Sequence, residues 1–358
     1  MRILQVYMGP YVADKGGGVS VYVRNISERL AKRHDVTVFA TNPGSLPRFE
    51  VVNGVKVERF RSIAPGGAYF FSLDMLLRLR KAEFDVVHGH CYQAFPVHFS
   101  TLARKKRFIV STHLGGLGVS QFRGFIIKMF KPFGERTLKF ADKIIVSSNY
   151  EKDYFLKHFD ISKDKVLVIP CGVDLRDFEG LKKSESDVKH ILFVGRLHWY
   201  KGVHYLIEAL PKLKSDIVLE IVGTGPAKQS LIEKARKLKV HSRVRFYENI
   251  PRKELVQKYI NADVFVLPSQ YESYAIVVAE ALAAGVPCIV SRNSALVEWI
   301  DNETCFGLSY PIKVNELVDR INYVLGSNIN KDVTSKKWIG IKILDWDDIV
   351  KRLEALYI

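Results

Sequence analysis

Cysteine is scarce in this chain: four in 358 residues, Cys91, Cys171, Cys288 and Cys305, far apart and without a C-x-x-C spacing. That argues against a disulfide framework and fits buried thiols in a reducing cytosol. No apolar run approaches the ~18 residues that a spanning helix needs. The opening "MRILQVYMGP" has no long apolar region behind Arg2, so it reads as a first strand rather than a signal peptide. Low-complexity tracts and short repeats are missing too. The glycine-rich stretch that follows lacks both the G-x-x-x-x-G-K-[ST] spacing of a P-loop and the G-x-G-x-x-G of a dinucleotide fold.

What is present is an ordinary globular composition, 47% hydrophobic and 26% charged, long enough for two domains with a core each. The net charge of +16 is uneven. Residues 1–172 hold 27 Lys and Arg against 14 Asp and Glu, an excess of 13 positive charges, whereas residues 173–358 hold 27 against 24. An anionic partner facing the first half is the expectation.

Short β-branched runs alternate with helical patterns throughout. In the first half the expected strands are "RILQVY", "DVTVFA", "VKVERF", "FDVVHG", "RFIVST", "KIIVSS" and "VLVIP", separated by helical stretches such as 18–33 and 72–82. The polar segment "CGVDLRDFEGLKKSESDVKH" reads as a linker, after which "ILFVGR", "IVLEIVG", "RVRFYE", "DVFVLP" and "PCIVS" restart the rhythm. Two tandem α/β sheets result, with ligands expected at strand carboxyl ends and in a cleft between them. The tail "LDWDDIVKRLEALYI" reads as a terminal helix with Asp345 or Asp347 near its start.

Residues 271–291, "YESYAIVVAEALAAGVPCIVS", are nearly all apolar apart from Glu272 and Glu280. Eight helical positions turn the chain through about 800°, leaving the two roughly 80° apart, so one smooth helical face does not explain them. A helix starting near Tyr274 and stopping at Gly285 and Pro287 puts Glu272 just ahead of the first turn, beside the free amides of Ser273, Tyr274, Ala275, Ile276 and Val277. Free amides attract phosphate and carboxylates accept from hydroxyls, a pairing that suits a sugar nucleotide.

"VGRLHWYKG" adds Gly195, Arg196, Lys201 and Gly202 directly after the first strand of the second half, two cations able to converge on a diphosphate; surface charge on a loop is the plainer reading. "GGGVSVYVRNISERLAKR" offers the amides of Gly16, Gly17 and Gly18, or merely a turn, and "GTGP" with Gly223 and Gly225 likewise. "VVHGH" and "STHLGG" end two strands with His88, His90 and His113. Without an acidic or cysteine ligand at a usual spacing they are not read as a zinc site. His113 suits contact with a sugar or acceptor, and His88 and His90 read as sheet-edge residues with structural hydrogen bonds. Between residues 118 and 140, Phe122, Phe125, Ile126, Met129 and Phe130 interleave with Arg123, Lys128 and Lys131. An interfacial membrane helix and a buried helix with a solvated basic face both fit, and the charge imbalance favours an anionic membrane surface.

Together these stretches resemble the retaining glycosyltransferases of family four, from "GGGVSVYVRNISERL" through "THLGG", "FGERTLKFADKIIVSSNYEKDYF", "VIPCGVDLRDF", "VGRLHWYKG", "GTGP" and "ADVFVLPSQYESYAIVVAEALAAGVPCIVS" to "WDDIV". The resemblance implies a GT-B fold of class α/β: two Rossmann-like parallel-sheet domains facing across a cleft, 1–172 on the acceptor side and 173–342 binding the nucleotide sugar. It also implies that the last helix, within 343–358, packs back on the first domain.

By the same resemblance Arg196 and Lys201 hold the donor diphosphate and Glu280 accepts from the ribose. Glu272 and the backbone of Ser273 to Val277 address the donor sugar and phosphates. Gly17 and Gly18 close over the donor, His113 lies by the transferred sugar, and Ile250 meets the base. Ala275 stands where the family usually has glycine. The expected partners are a nucleotide sugar and a glycan or glycolipid acceptor, with peripheral contact to an anionic membrane and no nucleic acid. No cofactor or metal is expected, because cationic side chains already face the diphosphate. An epimerase or phosphorylase acting on nucleotide sugars, and a non-catalytic basic scaffold binding nucleic acid, are the rival readings.

Overall fold

The computed structural model describes residues 1–12, 17–42, 44, 46–63, 71–113, 121–327, 329, 337–340 and 342–358, with the backbone alone for 121–130. The chain divides into two compact units, Met1–Gly172 with Trp346–Ile358, and Val173–Asp345.

In the first unit the strands are β1 (Arg2–Val6), β2 (Asp35–Asn42), β3 (Phe49–Val52), β4 (Val55–Arg61), β5 (Val86–His90), β6 (Arg107–Ser111), β7 (Lys143–Val146) and β8 (Val166–Val168). They form one sheet in the order β3-β4-β2-β1-β5-β6-β7-β8, parallel except for β3. Its helices are α1 (Gly18–Ala31), α2 (Leu73–Arg80), α3 (Phe95–Phe99), α4 (Gln121–Phe140) and α5 (Asn149–His158). Parallel strands in the middle of such a sheet are covered on both faces, which is why β5 is buried at all five positions. The start of α5 shows how local chemistry fixes a boundary. Ser148 Oγ accepts from the Glu151 amide at 3.1 Å, and the fully buried Glu151 carboxylate accepts from the Ser147 amide and from Thr112 Oγ1, both at 2.7 Å.

The second unit has β9 (Lys189–Val194), β10 (Ile217–Val222), β11 (Val244–Tyr247), β12 (Val264–Leu267), β13 (Cys288–Ser291) and β14 (Cys305–Leu308), all parallel in the order β11-β10-β9-β12-β13-β14. Its helices are α6 (Val203–Ala209), α7 (Lys228–Lys237), α8 (Arg252–Asn261), α9 (Ile276–Ala283) and α10 (Val314–Gly326).

The last helix, α11 (Trp346–Tyr357), belongs to the first unit. Trp346, Ile349, Val350, Leu353 and Tyr357 form its buried stripe at helical spacing. Each such side chain contributes about 2 kcal/mol by leaving water. Arg29 on α1 pairs with Asp347 at 3.0 Å, and Arg33 with Glu354 at 2.8 Å. Gly172 lies so near that a Cβ there would sit 2.8 Å from the Trp346 Cα, leaving room for no other residue.

Several sequence expectations shift. The strands expected from sequence do not include the two edge strands β3 and β14, each only four residues long. The segment read as linker ends two residues early, because Lys189 and His190 already belong to β9. His88 and His90 are not at a sheet edge: β5 is flanked by β1 and β6, and both side chains are fully buried.

Candidate functional site

Each sheet reverses its direction of growth once, and that switch point opens a crevice at the strand carboxyl ends. In the second unit the reversal falls between β9 and β12. The loop after β9 carries Gly195, Arg196 and Lys201, and the loop after β12 carries Glu272 through Ala275. The topology therefore assembles, within one unit, residues 70 to 80 positions apart in sequence.

Lys201 Nζ lies 2.5 Å from Glu272 Oε1, both side chains largely buried. Arg196 is exposed and has no ion-pair partner among the described residues. The Glu272 amide donates to Ser294 Oγ at 2.8 Å. Beyond it, the amides of Ser273, Ala275, Ile276 and Val277 have no acceptor among the described residues. Helix α9 starts at Ile276, two residues later than the pattern places it, because Ala275 takes φ 71°, ψ 66°. This left-handed conformation costs a non-glycine residue about 1–2 kcal/mol. It explains why glycine suits the position. Tyr274 is buried, and its carbonyl accepts from Trp299 Nε1 at 2.8 Å.

Glu280, one turn into α9, is buried with both oxygens engaged. Arg252 Nη1 reaches Oε1 at 2.5 Å and the Tyr259 hydroxyl donates to Oε2 at 2.9 Å. Arg252 also donates from Nε to Asp177 at 2.8 Å. Burial opposes the charge on Arg252, but Glu280 and Asp177 outweigh it and hold its pKa above the ordinary value. Burial, reinforced by Glu280, pushes Tyr259 well up, so its hydroxyl keeps the proton it donates. Ile250 is half-buried two residues before Arg252, at the entrance to α8. Sequence reading misses Arg252, Tyr259, Asp177 and Ser294. A cation two residues past the expected base-contacting Ile250 was the available signal for the first, and the other three carry no motif.

The glycines serve close backbone packing. A Cβ on Gly223 (φ 150°) would stand 1.9 Å from the Gly195 carbonyl oxygen, and one on Gly202 (φ 76°) 2.2 Å from the Pro268 carbonyl oxygen. These contacts draw the strand-end loops of β9, β10 and β12 together.

In the first unit the reversal lies between β1 and β5. Gly17 caps α1 and Gly18 begins it, with open space where a Cβ would go; Gly16 lies outside the described residues. His113, just past β6 at φ 41°, packs edge-on to Tyr22, with ring centroids 4.7 Å apart. Its Nε2 lies 3.2 Å from His90 Nδ1, and His90 Nε2 lies 2.7 Å from Gln5 Oε1. Burial pushes the pKa of His113 down to about 4, that of His88 to about 3, and that of His90 well below its usual value. All three are neutral at pH 7.

The side chains of Phe122, Arg123, Phe125, Ile126, Lys128, Met129 and Phe130 lie outside the described residues. Lys131 is exposed on α4, as are Phe133 and Phe140 farther along. No described helix is long and apolar enough to cross a membrane. Among the described residues no group of three His, Cys, Asp or Glu side chains could hold a metal ion.

Residues 177–338 match the family Glycosyl transferases group 1, and residues 16–177 match Glycosyltransferase Family 4. An uncharacterized glycosyltransferase of Methanocaldococcus jannaschii is 29% identical over 381 residues, covering 95% of this chain and 94% of that protein. The structure of sucrose-phosphate synthase from Thermosynechococcus elongatus matches with a TM-score of 0.81 at 22% identity, over 99% of this chain and 98% of that one. Anabaena HepE in complex with UDP and glucose matches at 0.77 and 18%, over 99% and 98%. These likenesses give both sheets the GT-B fold.

Proposed function

The chain belongs to the glycosyltransferases of family four, and from that membership we propose that it is a retaining hexosyltransferase. It moves a hexosyl group from a nucleoside diphosphate sugar to an acceptor hydroxyl. The observation that carries this reading is the grouping, at one switch point, of Arg196, the Lys201–Glu272 pair and four amides with no acceptor among the described residues. That set matches an anionic diphosphate joined to a hydroxyl-rich sugar. UDP and glucose in Anabaena HepE support a uridine nucleotide as the first donor to try.

In this reading Arg196, Lys201 and the amides at the start of α9 hold the diphosphate. An ammonium has three protons to donate, so Lys201 can keep Glu272 while it meets a phosphate oxygen. Glu272 then has oxygen lone pairs left for a sugar hydroxyl. Glu280, oriented by Arg252 and Tyr259, retains free lone pairs for the ribose hydroxyls, and Ile250 meets the base. Gly195 and Gly223 keep the donor loops close. Gly17, Gly18 and His113 of the first unit are assigned to the donor sugar.

As the bond to the diphosphate breaks, negative charge grows on the leaving oxygen and the sugar becomes oxocarbenium-like. Cations and amides already aimed at that oxygen stabilise the transition state more than the ground state. The leaving phosphate takes the proton of the acceptor hydroxyl on the same face of the sugar, so the anomeric configuration is kept. Charge neutralisation by Arg196 and Lys201 gives this chemistry without a metal or other cofactor. A glycan or glycolipid acceptor at an anionic membrane surface fits the basic first half, and flotation with and without acidic lipid tests that contact.

The reaction itself is tested by incubating the purified protein with UDP-glucose and a panel of glycan and glycolipid acceptors, reading nucleotide release and product anomer by NMR. Release of UDP coupled to a product of retained configuration is expected. An inverted product, or a change in the sugar nucleotide with no acceptor present, removes the reading.

A further inference from the structure

Strand β5 places His88 and His90 two residues apart, hence on one face of the sheet. Gln5 on β1 stands in register with His88, and Ser111 on β6 in register with His90. Four polar side chains thus share a buried face, all at most 1% exposed, and α11 adds the Tyr357 hydroxyl above them. Such groups persist in a core only if their hydrogen bonds are made.

They are made in one continuous chain. Gln5 Oε1 is 2.7 Å from His90 Nε2, and His90 Nδ1 is 3.2 Å from His113 Nε2. In the other direction Gln5 Nε2 donates to the Tyr357 hydroxyl at 3.4 Å. That hydroxyl is 2.8 Å from His88 Nδ1, and His88 Nε2 is 2.8 Å from Ser111 Oγ.

Each proton in the chain follows from the one before. A carbonyl oxygen only accepts, so His90 Nε2 carries a proton and, the ring being neutral, His90 Nδ1 does not. His113 Nε2 must therefore donate to His90, which leaves His113 Nδ1 as a bare lone pair. That nitrogen makes no hydrogen bond among the described residues.

We infer that Gln5, acting through His90, locks His113 in the Nε2–H tautomer, so that His113 offers its ligand an acceptor and selects a group that donates. Resting on the reading of His113 as a contact of the transferred sugar, this narrows the substrate: the position facing His113 carries a free hydroxyl. A carboxylate or ether oxygen there would meet lone pair against lone pair. Gln5 and His90 are positioning residues; they touch His113 and not the sugar.

The tautomer is read from two-bond 15N–1H correlation spectra of protein labelled with 15N-histidine, with no substrate required. A pyrrole-type Nε2 and pyridine-type Nδ1 on His113 are expected, and a proton on Nδ1 overturns the inference. Gln5→Met removes the acceptor that orders the chain, and a mixture of His113 tautomers is expected. A single Nε2–H form in a folded Gln5→Met protein would deny Gln5 its role.

Monodeoxy and monofluoro donors test the substrate class in the wild-type protein. At one position both replacements are expected to lower kcat/KM on the order of tenfold, because fluorine accepts but cannot donate. The loss should vanish in His113→Ala. A fluoro donor that works where the deoxy donor fails, or no position coupled to His113, would overturn the assignment. If no nucleotide sugar is turned over at all, the glycosyl-transfer reading falls, whereas the tautomer is still decided by the spectra.

Discussion

The two units place opposite chemistry at equivalent points of similar sheets. The first unit, whose sequence holds most of the positive excess, lines its switch point with neutral histidines and a glutamine. The second, nearly balanced in charge, sets ion pairs there: Lys201 with Glu272, and Arg252 with Glu280. Net charge therefore does not follow the placement of ion pairs, which the local geometry of each sheet sets. A neutral acceptor array suits hydroxyls, and a paired cationic array suits a diphosphate.

The sharpest way to break this contrast is Arg196→Ala. The side chain is exposed and makes no ion pair among the described residues, yet turnover should fall on the order of a hundredfold, about 3 kcal/mol, with donor binding far less affected. Steady-state kinetics and a melting curve together check this. Equal losses in kcat and binding would deny it a transition-state role.

Acidification probes the neutral side. With pKa near 6.5 unfolded and about 3 folded, His88 binds its proton in the unfolded chain first. Its contribution to stability is complete above pH 6.5 and declines as pH falls toward 3. Between pH 7 and 5 the first unit should lose about 2 kcal/mol from this residue alone. Urea denaturation at the two pH values, followed by the near-ultraviolet signal of Trp346, measures it.

Arg252→Ala should cost about 1 to 2 kcal/mol, since Glu280 keeps only Tyr259 while water reaches part of the vacated site. The accompanying fall in Tm is roughly 4 °C, and affinity for nucleoside diphosphate should weaken in parallel. The smallest effect belongs to Ala275→Gly. Relief of the left-handed strain, about 1–2 kcal/mol, exceeds the added entropy of the unfolded chain, about 0.4–1 kcal/mol. A gain near 0.5 kcal/mol is expected in the same denaturation assay.

Sequence pattern alone made both sheets legible, because parallel strands buried on two faces read as short apolar runs. Arg196, Lys201, Glu272 and Glu280 were legible through their spacing next to strand ends and a helix start. The partners Arg252 and Tyr259 were not, since pairing across 28 and 21 residues leaves no local mark. Nor was the buried chain from His113 to Tyr357. Gln5 meets His88 only through strand register, and Tyr357 joins them from the far end of the polypeptide. The strand order β1-β5-β6 that creates those neighbours is a property of topology.

The measurement that bears most directly on the diphosphate site is calorimetric titration of UDP-, GDP- and ADP-sugars into the wild-type protein and the Arg196→Ala, Lys201→Ala double variant. One of the three should bind the wild type at a single site with measurable heat, and the double variant should lose that binding by at least a hundredfold. No heat from any of them, or equal affinity in both proteins, would contradict a diphosphate site built on Arg196, Lys201 and the start of α9.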